Sequence, residues 1–303
     1  MAAPSQLTIA AAQYPIERFT TLGAYRDKLA RWVAAAVGSG AQLLVFPEYG
    51  AMEYAGASGE AIAGDLAASL TAVSDALIPM DAAHAELARR HQVHILAASG
   101  PSARPGGRYV NAARLFTPAG RMGVQEKIIM TPFERNWGVS PGETLRVFET
   151  ALGRIGVAIC YDSEFPLLVR AQAEAGAQIV LVPSCTEFHS GYARVRTAAM
   201  ARALENTCVT VLSPTVGDAP WSPAVDRNAG AAGIYGPADH GFSETGVLAE
   251  GTLNAPQWVY ADVDLARLQR VKETGEMRNS TDWAAQPGAA PLAGKVEVVS
   301  LDS

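Results

Sequence analysis

The chain is poor in cysteine: Cys160, Cys185 and Cys208 are the three in 303 residues. The number is odd and no Cys-x-x-Cys pair occurs, which argues against a disulfide framework and against a thiolate zinc site. His84, His91, His94, His189 and His240 form no ligand motif, so neither a metal nor a cofactor is expected. No block of basic residues interrupts a net charge of −6, and nucleic acid is not an expected partner. A run of about eighteen apolar residues is missing, so no membrane-spanning helix is expected. The first thirty residues lack a charged segment followed by a long apolar run, and no secretory signal is expected. Free thiols with no pairing pattern fit a reducing, cytoplasmic setting. Neither a linker nor an internal repeat is evident.

What is present is an alternation of strand and helix. Leu7 to Gln13 alternates as a strand, and Leu22 to Val37 carries a helical apolar stripe at Leu22, Leu29, Trp32, Val33 and Ala36. Gln42 to Phe46 reads as a strand and Ala72 to His91 as a helix that Pro79 interrupts or bounds. Val93 to Ala98 is a strand. Tyr109 to Thr117 and Arg121 to Ile128 read as a hairpin around Pro118-Ala119-Gly120, and Leu145 to Glu149 with Arg154 to Ile159 as a second. Leu167 to Ala175, Gln178 to Val182, Tyr192 to Asn206 and Cys208 to Ser213 alternate helix and strand again. Ser213 to Thr245 reads as long loops. Strands at Gly246 to Glu250 and Gln257 to Val263 precede a helix at Leu265 to Lys272. Ala284 to Lys295 reads as extended. The interleaving predicts one α/β layered domain over 1–272, with 273–303 as an arm on the domain or on a partner subunit.

The stretch Gly156-Val-Ala-Ile-Cys160-Tyr-Asp-Ser-Glu-Phe-Pro166 carries the most chemistry. A small, apolar strand end meets helix-starting residues at Asp162, Ser163 and Pro166. A cysteine there is expected near a helix N-terminus, whose partial positive charge stabilises a thiolate. Free cysteine is more often a small core hydrophobe, so the position alone does not decide the matter. Two other places stand out. In Val45-Phe46-Pro47-Glu48-Tyr49 a carboxylate follows a strand end, where ligand sites gather in layered α/β folds. In Glu126-Lys127-Ile128-Ile129-Met130 a lysine enters an apolar loop, where burial requires acidic partners; Glu48 and Glu134 are candidates. Alone, each is equally readable as a solvated surface charge. Together they make chemical sense. A thiol nucleophile needs a base, which Glu48 supplies. The developing oxyanion needs donors, which Lys127 and the backbone N–H after Cys160 supply.

Phe46-Pro47-Glu48, Lys127 with Pro132 and Glu134, and Gly156 to Pro166 around Cys160 resemble the nitrilase (carbon–nitrogen hydrolase) superfamily. Asn111-x4-Phe116-x-Pro118-x-Gly120 and Arg202-Ala203-Leu204-Glu205-Asn206 match the same pattern, and the resemblance spans roughly residues 5–270. Within it the chain looks most like domains fused elsewhere to an N-acetyltransferase. The resemblance implies a four-layer α-β-β-α sandwich, a homodimer or higher homo-oligomer, and a Glu–Lys–Cys set. Cys160 is then the nucleophile, Glu48 the base and Lys127 the oxyanion donor. Glu134 is then the second glutamate, which orients Lys127 and the substrate. It implies hydrolysis of a small-molecule amide or nitrile. Tyr161-Asp162 after the cysteine is similar to amidases rather than to true nitrilases. A nitrilase, an acyltransferase and a catalytically silent protein that keeps the fold remain alternatives.

Tyr54, Trp137, Tyr161, Glu164, Glu187 and Phe188, with Trp221 and Tyr235, are candidates to line the substrate pocket. Glu164 stands where relatives that act on acidic substrates place an arginine, so a neutral or cationic substrate is expected if it faces the pocket; a helix-capping role is its alternative. Cys185 lacks the nucleophile's motif, and Cys208 reads as core. Arg194, Arg196 and Arg202 read as helix-surface or interface salt bridges.

Overall fold

In a computed structural model, which describes residues 6–302, the chain forms two facing sheets between two helical layers. The strands are β1 (Gln6–Pro15), β2 (Leu43–Val45), β3 (His94–Arg104), β4 (Arg108–Phe116), β5 (Met122–Glu126), β6 (Val139–Ser140), β7 (Leu145–Thr150), β8 (Gly153–Val157), β9 (Ile179–Ser184), β10 (Val209–Asp218), β11 (Arg227–Asn228), β12 (Gly233–Tyr235), β13 (Val247–Glu250), β14 (Gln257–Asp264) and β15 (Val296–Ser300). The helices are α1 (Leu22–Gly38), α2 (Glu60–Ala63), α3 (Leu66–His91), α4 (Pro132–Asn136), α5 (Pro166–Glu174), α6 (His189–Asn206), α7 (Leu265–Thr274) and α8 (Asn279–Asp282).

One sheet runs β14-β1-β2-β3-β4-β5 and the other β15-β7-β8-β9-β10-β12-β13. They join where β1 pairs with β10 at Tyr14 and Pro15. Alternation decides the layers, because successive side chains leave a strand on opposite faces. On β1, Leu7, Ile9 and Ala11 point into the sandwich interior, while Ala10, Ala12 and Tyr14 meet α1 and α3. Both faces are therefore apolar, as a sheet covered on both sides requires. The parallel pairs β1/β2, β2/β3, β8/β9 and β9/β10 are each bridged by helix-containing crossovers. The four-layer nitrilase-type sandwich expected from the sequence is the observed fold.

Two local readings need correction. Pro79 neither interrupts nor bounds its helix: α3 starts at Leu66, capped by Asp65 Oδ1 accepting from Ala68 N at 2.8 Å, and runs through Pro79 to His91. A helix-interior proline costs about 3 kcal/mol. Leu70, Val73 and Met80, Leu87, buried on either side of it, outweigh that cost, and the carbonyl that Pro79 cannot pair belongs to exposed Asp75. By length and composition α3 would pass for a membrane span, but its apolar stripe packs on the sheet, as a core helix does. Ser213 to Thr245 is not all loop, because β10 continues to Asp218 and β11 and β12 follow. Beyond Lys295 the chain forms β15, parallel to β7.

Candidate active site

Four strand ends converge on one cavity of about 500 Å3. Glu48 follows β2, Lys127 follows β5, Cys160 follows β8 and Cys185 follows β9, and all four line it with Glu134 from α4. Glu48 and Cys160 sit at sharp reversals. Tyr49, just after Glu48, has φ 51°, and Cys160 itself has φ 49°. A non-glycine residue in this left-handed region costs about 1–3 kcal/mol and persists where surrounding packing dictates it.

Lys127 is 1% exposed and its charge is met inside the protein. Its Nζ donates to Glu48 Oε1 at 2.8 Å and to Glu134 Oε2 at 2.7 Å. Asn111 Nδ2 donates to both carboxylates, at 3.0 Å to Glu48 Oε1 and 3.2 Å to Glu134 Oε1. Ser99 Oγ donates to Asn111 Oδ1 at 2.7 Å and accepts from Tyr49 N at 3.0 Å, which fixes the amide's orientation. Glu134 also accepts from Tyr49 Oη at 2.9 Å and from Thr131 N and Oγ1 at 3.0 and 2.9 Å. Thr131-x-x-Glu134 is a capping box, a signal present in the sequence that places Glu134 at the start of α4. The second oxygen of Glu48 accepts from Cys185 N at 2.9 Å.

These contacts separate the titrations. Burial pushes the Glu48 carboxyl above its ordinary value; Lys127 pulls back and Glu134 pushes further. Burial would raise Glu134 too, but Lys127 and the donors from Thr131 and Asn111 hold it below the ordinary value. Burial would lower Lys127, but Glu48 and Glu134 raise it, so it stays protonated. The Cys160 thiol is pushed well up, first by burial and then by the Glu48 charge, with Lys127 opposing. The expected thiolate at a helix N-terminus is thus not what the fold provides. A 3-10 turn, Cys160–Glu164, intervenes, and α5 begins only at Pro166, beyond the reach of its end charge.

Asp162, read from the sequence only as a helix starter, ties the site together. Its carboxylate accepts from Ile129 N at 2.8 Å, from Ile128 N at 3.2 Å and from Ile159 N at 3.3 Å. The loop after Lys127 is thereby fastened to the turn bearing Cys160.

Trp137, Tyr161, Glu164, Glu187 and Phe188 line the cavity; Tyr54 does not. Tyr54 lies edge-on to Tyr25 of α1, with ring centroids 6.0 Å apart. The stretch Gly50–Ser58 is turned that way by buried Glu53, which accepts from Lys28 Nζ at 2.8 Å and Tyr14 Oη at 2.6 Å. Trp221 packs in the same helix-side core, and Tyr235 is core with its hydroxyl donating to Glu250 Oε1 at 2.9 Å. Cys185 is held by Asn228 Oδ1, 3.4 Å from its Sγ, and burial pushes its thiol up to about 12. Arg194, Arg196 and Arg202 pair with Glu164, Glu250 and Glu205, and Arg194 also lines the cavity.

The carbon-nitrogen hydrolase family model matches residues 8–273, and the chain belongs to that family. It is 34% identical over 275 residues to the probable hydrolase YhcX of Bacillus subtilis, a match that covers 90% of this chain and 53% of that protein. The chain thus spans about half the length of that relative. It is 27% identical over 263 residues to an omega-amidase of Danio rerio, covering 80% and 83% of the two chains. Among solved structures, a carbon-nitrogen hydrolase from Helicobacter pylori superposes with a TM-score of 0.73 at 20% identity, covering 89% and 92%. A mutant amidase from Nesterenkonia sp. AN1 in complex with acrylamide gives 0.70 at 22% identity, covering 94% and 99%. At these identities the structural likeness shows the fold.

Proposed function

We propose that the chain hydrolyses linear, non-peptide C–N bonds as an amidase, releasing ammonia or an amine through a thioester on Cys160. The observation that carries this reading is the buried Lys127 held between Glu48 and Glu134, with Glu48 against the Cys160 thiol in one cavity. The thiol is protonated at rest, so attack requires a base. Glu48 takes the Sγ proton as Sγ bonds to the carbonyl carbon. The carbonyl π electrons move to oxygen, beside the Lys127 ammonium and the Tyr161 N–H. Collapse breaks the C–N bond, and Glu48 returns its proton to the leaving nitrogen. Glu48 then deprotonates a water, whose oxygen attacks the thioester. The C–S bond breaks and the sulfur regains the proton from Glu48. Glu134 remains ionised throughout and keeps Lys127 in place.

An amide is favoured over a nitrile because Tyr161-Asp162 follows the cysteine as in amidases rather than as in true nitrilases. We also assign the chain to the branch of acetyltransferase-fused nitrilase-like domains. The Bacillus subtilis relative extends well beyond the match, and comparing that remainder with acetyltransferases tests the assignment.

Ammonia release from a panel of amides, carbamoyl compounds and nitriles tests the function. Primary amides are expected to turn over and to leave an acyl adduct on Cys160, detected by mass spectrometry. Glu48→Gln is expected to lose about 10²–10⁴ in rate and Lys127→Met about 10²–10³. Unchanged activity in Cys160→Ala would refute the mechanism.

A further inference from the structure

The cavity mouth carries an ion pair of its own. Glu164 ends the 3-10 turn that begins at Cys160, and Arg194 projects from the first turns of α6. Arg194 Nε lies 3.4 Å from Glu164 Oε2, and both residues line the cavity together with Phe133, Trp137, Tyr161 and Phe188. The two partners are unequally placed: the Glu164 side chain is 19% exposed and that of Arg194 62%. Glu164 therefore faces inward and Arg194 covers it from the solvent side. Deeper in the cavity, Glu48 and Glu134 outnumber Lys127 by one charge. The other charged lining residues, Glu187, Asp226 and Arg227, are exposed at the rim, where water screens them.

A charged substrate group meets opposition on either sign. A carboxylate held near the reacting carbon is repelled by Glu164 and by the surplus negative charge below it. An ammonium meets Arg194 on entering, and it gives up hydration for a Glu164 that is already paired. An uncharged chain suffers neither penalty, and the aromatic rings at the mouth offer it apolar surface. We propose that the Glu164–Arg194 pair sets the charge selectivity of this site, and that its substrates are primary amides with an uncharged, apolar acyl chain. The inference rests on the amidase reading and narrows the earlier expectation of a neutral or cationic substrate to a neutral one. Without Arg194 the site would oppose cations less; without Glu164 it would oppose anions less.

Three amides of matched length test this: hexanamide, 6-aminohexanamide and the monoamide of adipic acid. The native protein is expected to give its highest kcat/KM on hexanamide. Arg194→Gln is expected to raise the 6-aminohexanamide-to-hexanamide ratio about three- to tenfold, the scale of one charge acting across a partly solvated site. Glu164→Gln is expected to raise the adipic monoamide ratio by a similar factor, and the double variant to return both ratios towards the native ones. A second readout needs no turnover: the rate at which iodoacetate, relative to iodoacetamide, alkylates Cys160, followed by peptide mapping. Glu164→Gln should raise that relative rate and Arg194→Gln should lower it. Preference of the native protein for either charged amide, or ratios that the variants leave unmoved in both readouts, would overturn the inference. If no amide turns over and no acyl–Cys160 forms, the amidase reading fails instead, and the alkylation ratios still decide whether the pair filters charge.

Discussion

Glu48 and Glu134 share one lysine, yet their surroundings give them different work. Glu134 accepts from Lys127, Tyr49, Asn111 and both donors of Thr131, so it holds its charge. Glu48 has fewer donors and faces a thiol, so it takes up a proton more readily. Two carboxylates pushed apart in this way divide into a fixed anion and a proton carrier. On the proposed mechanism, in which ionised Glu48 accepts the thiol proton, the acid limb of kcat/KM is expected above the ordinary glutamate value of 4.5. Asn111→Ala removes a donor from both carboxylates. It should move that limb to higher pH and lower activity at neutral pH by up to about 10² through misplacement. A pH–rate profile of the two proteins checks this, and an unmoved limb would contradict the assigned role. Glu48, Lys127 and Cys160 stood out in the sequence together rather than singly: each alone reads as a surface charge or a core thiol, but a carboxylate, a lysine and a cysteine at three strand ends make one chemical set. Asn111 was visible only as part of a motif. Its partners Glu48 and Glu134 lie on other elements, and only the register of β4 brings them within reach.

The Asp162 turn works as a clasp between two elements. Its carboxylate binds the N–H groups of Ile128 and Ile129 after β5, and so sets where Lys127 stands relative to Cys160. Burial pushes the Asp162 carboxyl up to about 7 from an ordinary 3.8. A carboxyl raised on folding contributes stability that is fully present below the unfolded value and is lost as pH rises through the folded one. The stability of the native protein relative to Asp162→Asn should therefore fall between pH 3.8 and about 7, by on the order of a few kcal/mol, and level off above. Thermal unfolding of both proteins across that window measures it; a difference that stays flat with pH would refute the clasp's titration. Most elements could be placed from periodicity alone, since a strand with two apolar faces and an amphipathic helix leave distinct patterns. Pro79 misled because propensity is local, whereas the stripe that holds α3 to the sheet extends to both sides of it. The segment after Ser213 misled for a related reason: glycine and proline there mark turns between very short strands rather than an absence of strands.

At the scale of the whole molecule, the two sheets are fastened at opposite ends. At one end, Ser213 Oγ of β10 lies 2.8 Å from Ala12 O and 2.9 Å from Val45 O and shares its one proton between them, bridging to the first sheet. At the other, the C-terminal segment supplies the fastening. β15 adds a parallel strand to β7, and Leu301 N continues the pairing to Glu149 O at 2.8 Å. Leu301, 3% exposed, enters the interior beside Phe148 of β7 and Gly123 of β5, one from each sheet. Gly123 is what leaves room: a Cβ there would lie 2.6 Å from Phe148 and 3.0 Å from Leu301. Asp302 follows, accepting from Ala151 N at 2.7 Å and lying 2.9 Å from His94 Nε2 of β3. The Ala/Gly/Pro-rich stretch before β15 hides this in the sequence, because nothing local tells which edge a distant five-residue strand will join. The consequence is that stability should depend on one side chain near the chain's end. Leu301→Ala is expected to cost about 2–4 kcal/mol, because the sheets on either side cannot collapse onto the space it leaves. Val298, in β15 and 43% exposed, is the matched control, and its replacement by alanine should cost less than about 0.5 kcal/mol. Urea unfolding of the two variants separates the cases. Equal midpoints would mean that β15 only lies along the edge, whereas a large loss confined to Leu301→Ala would show that the segment closes the sandwich.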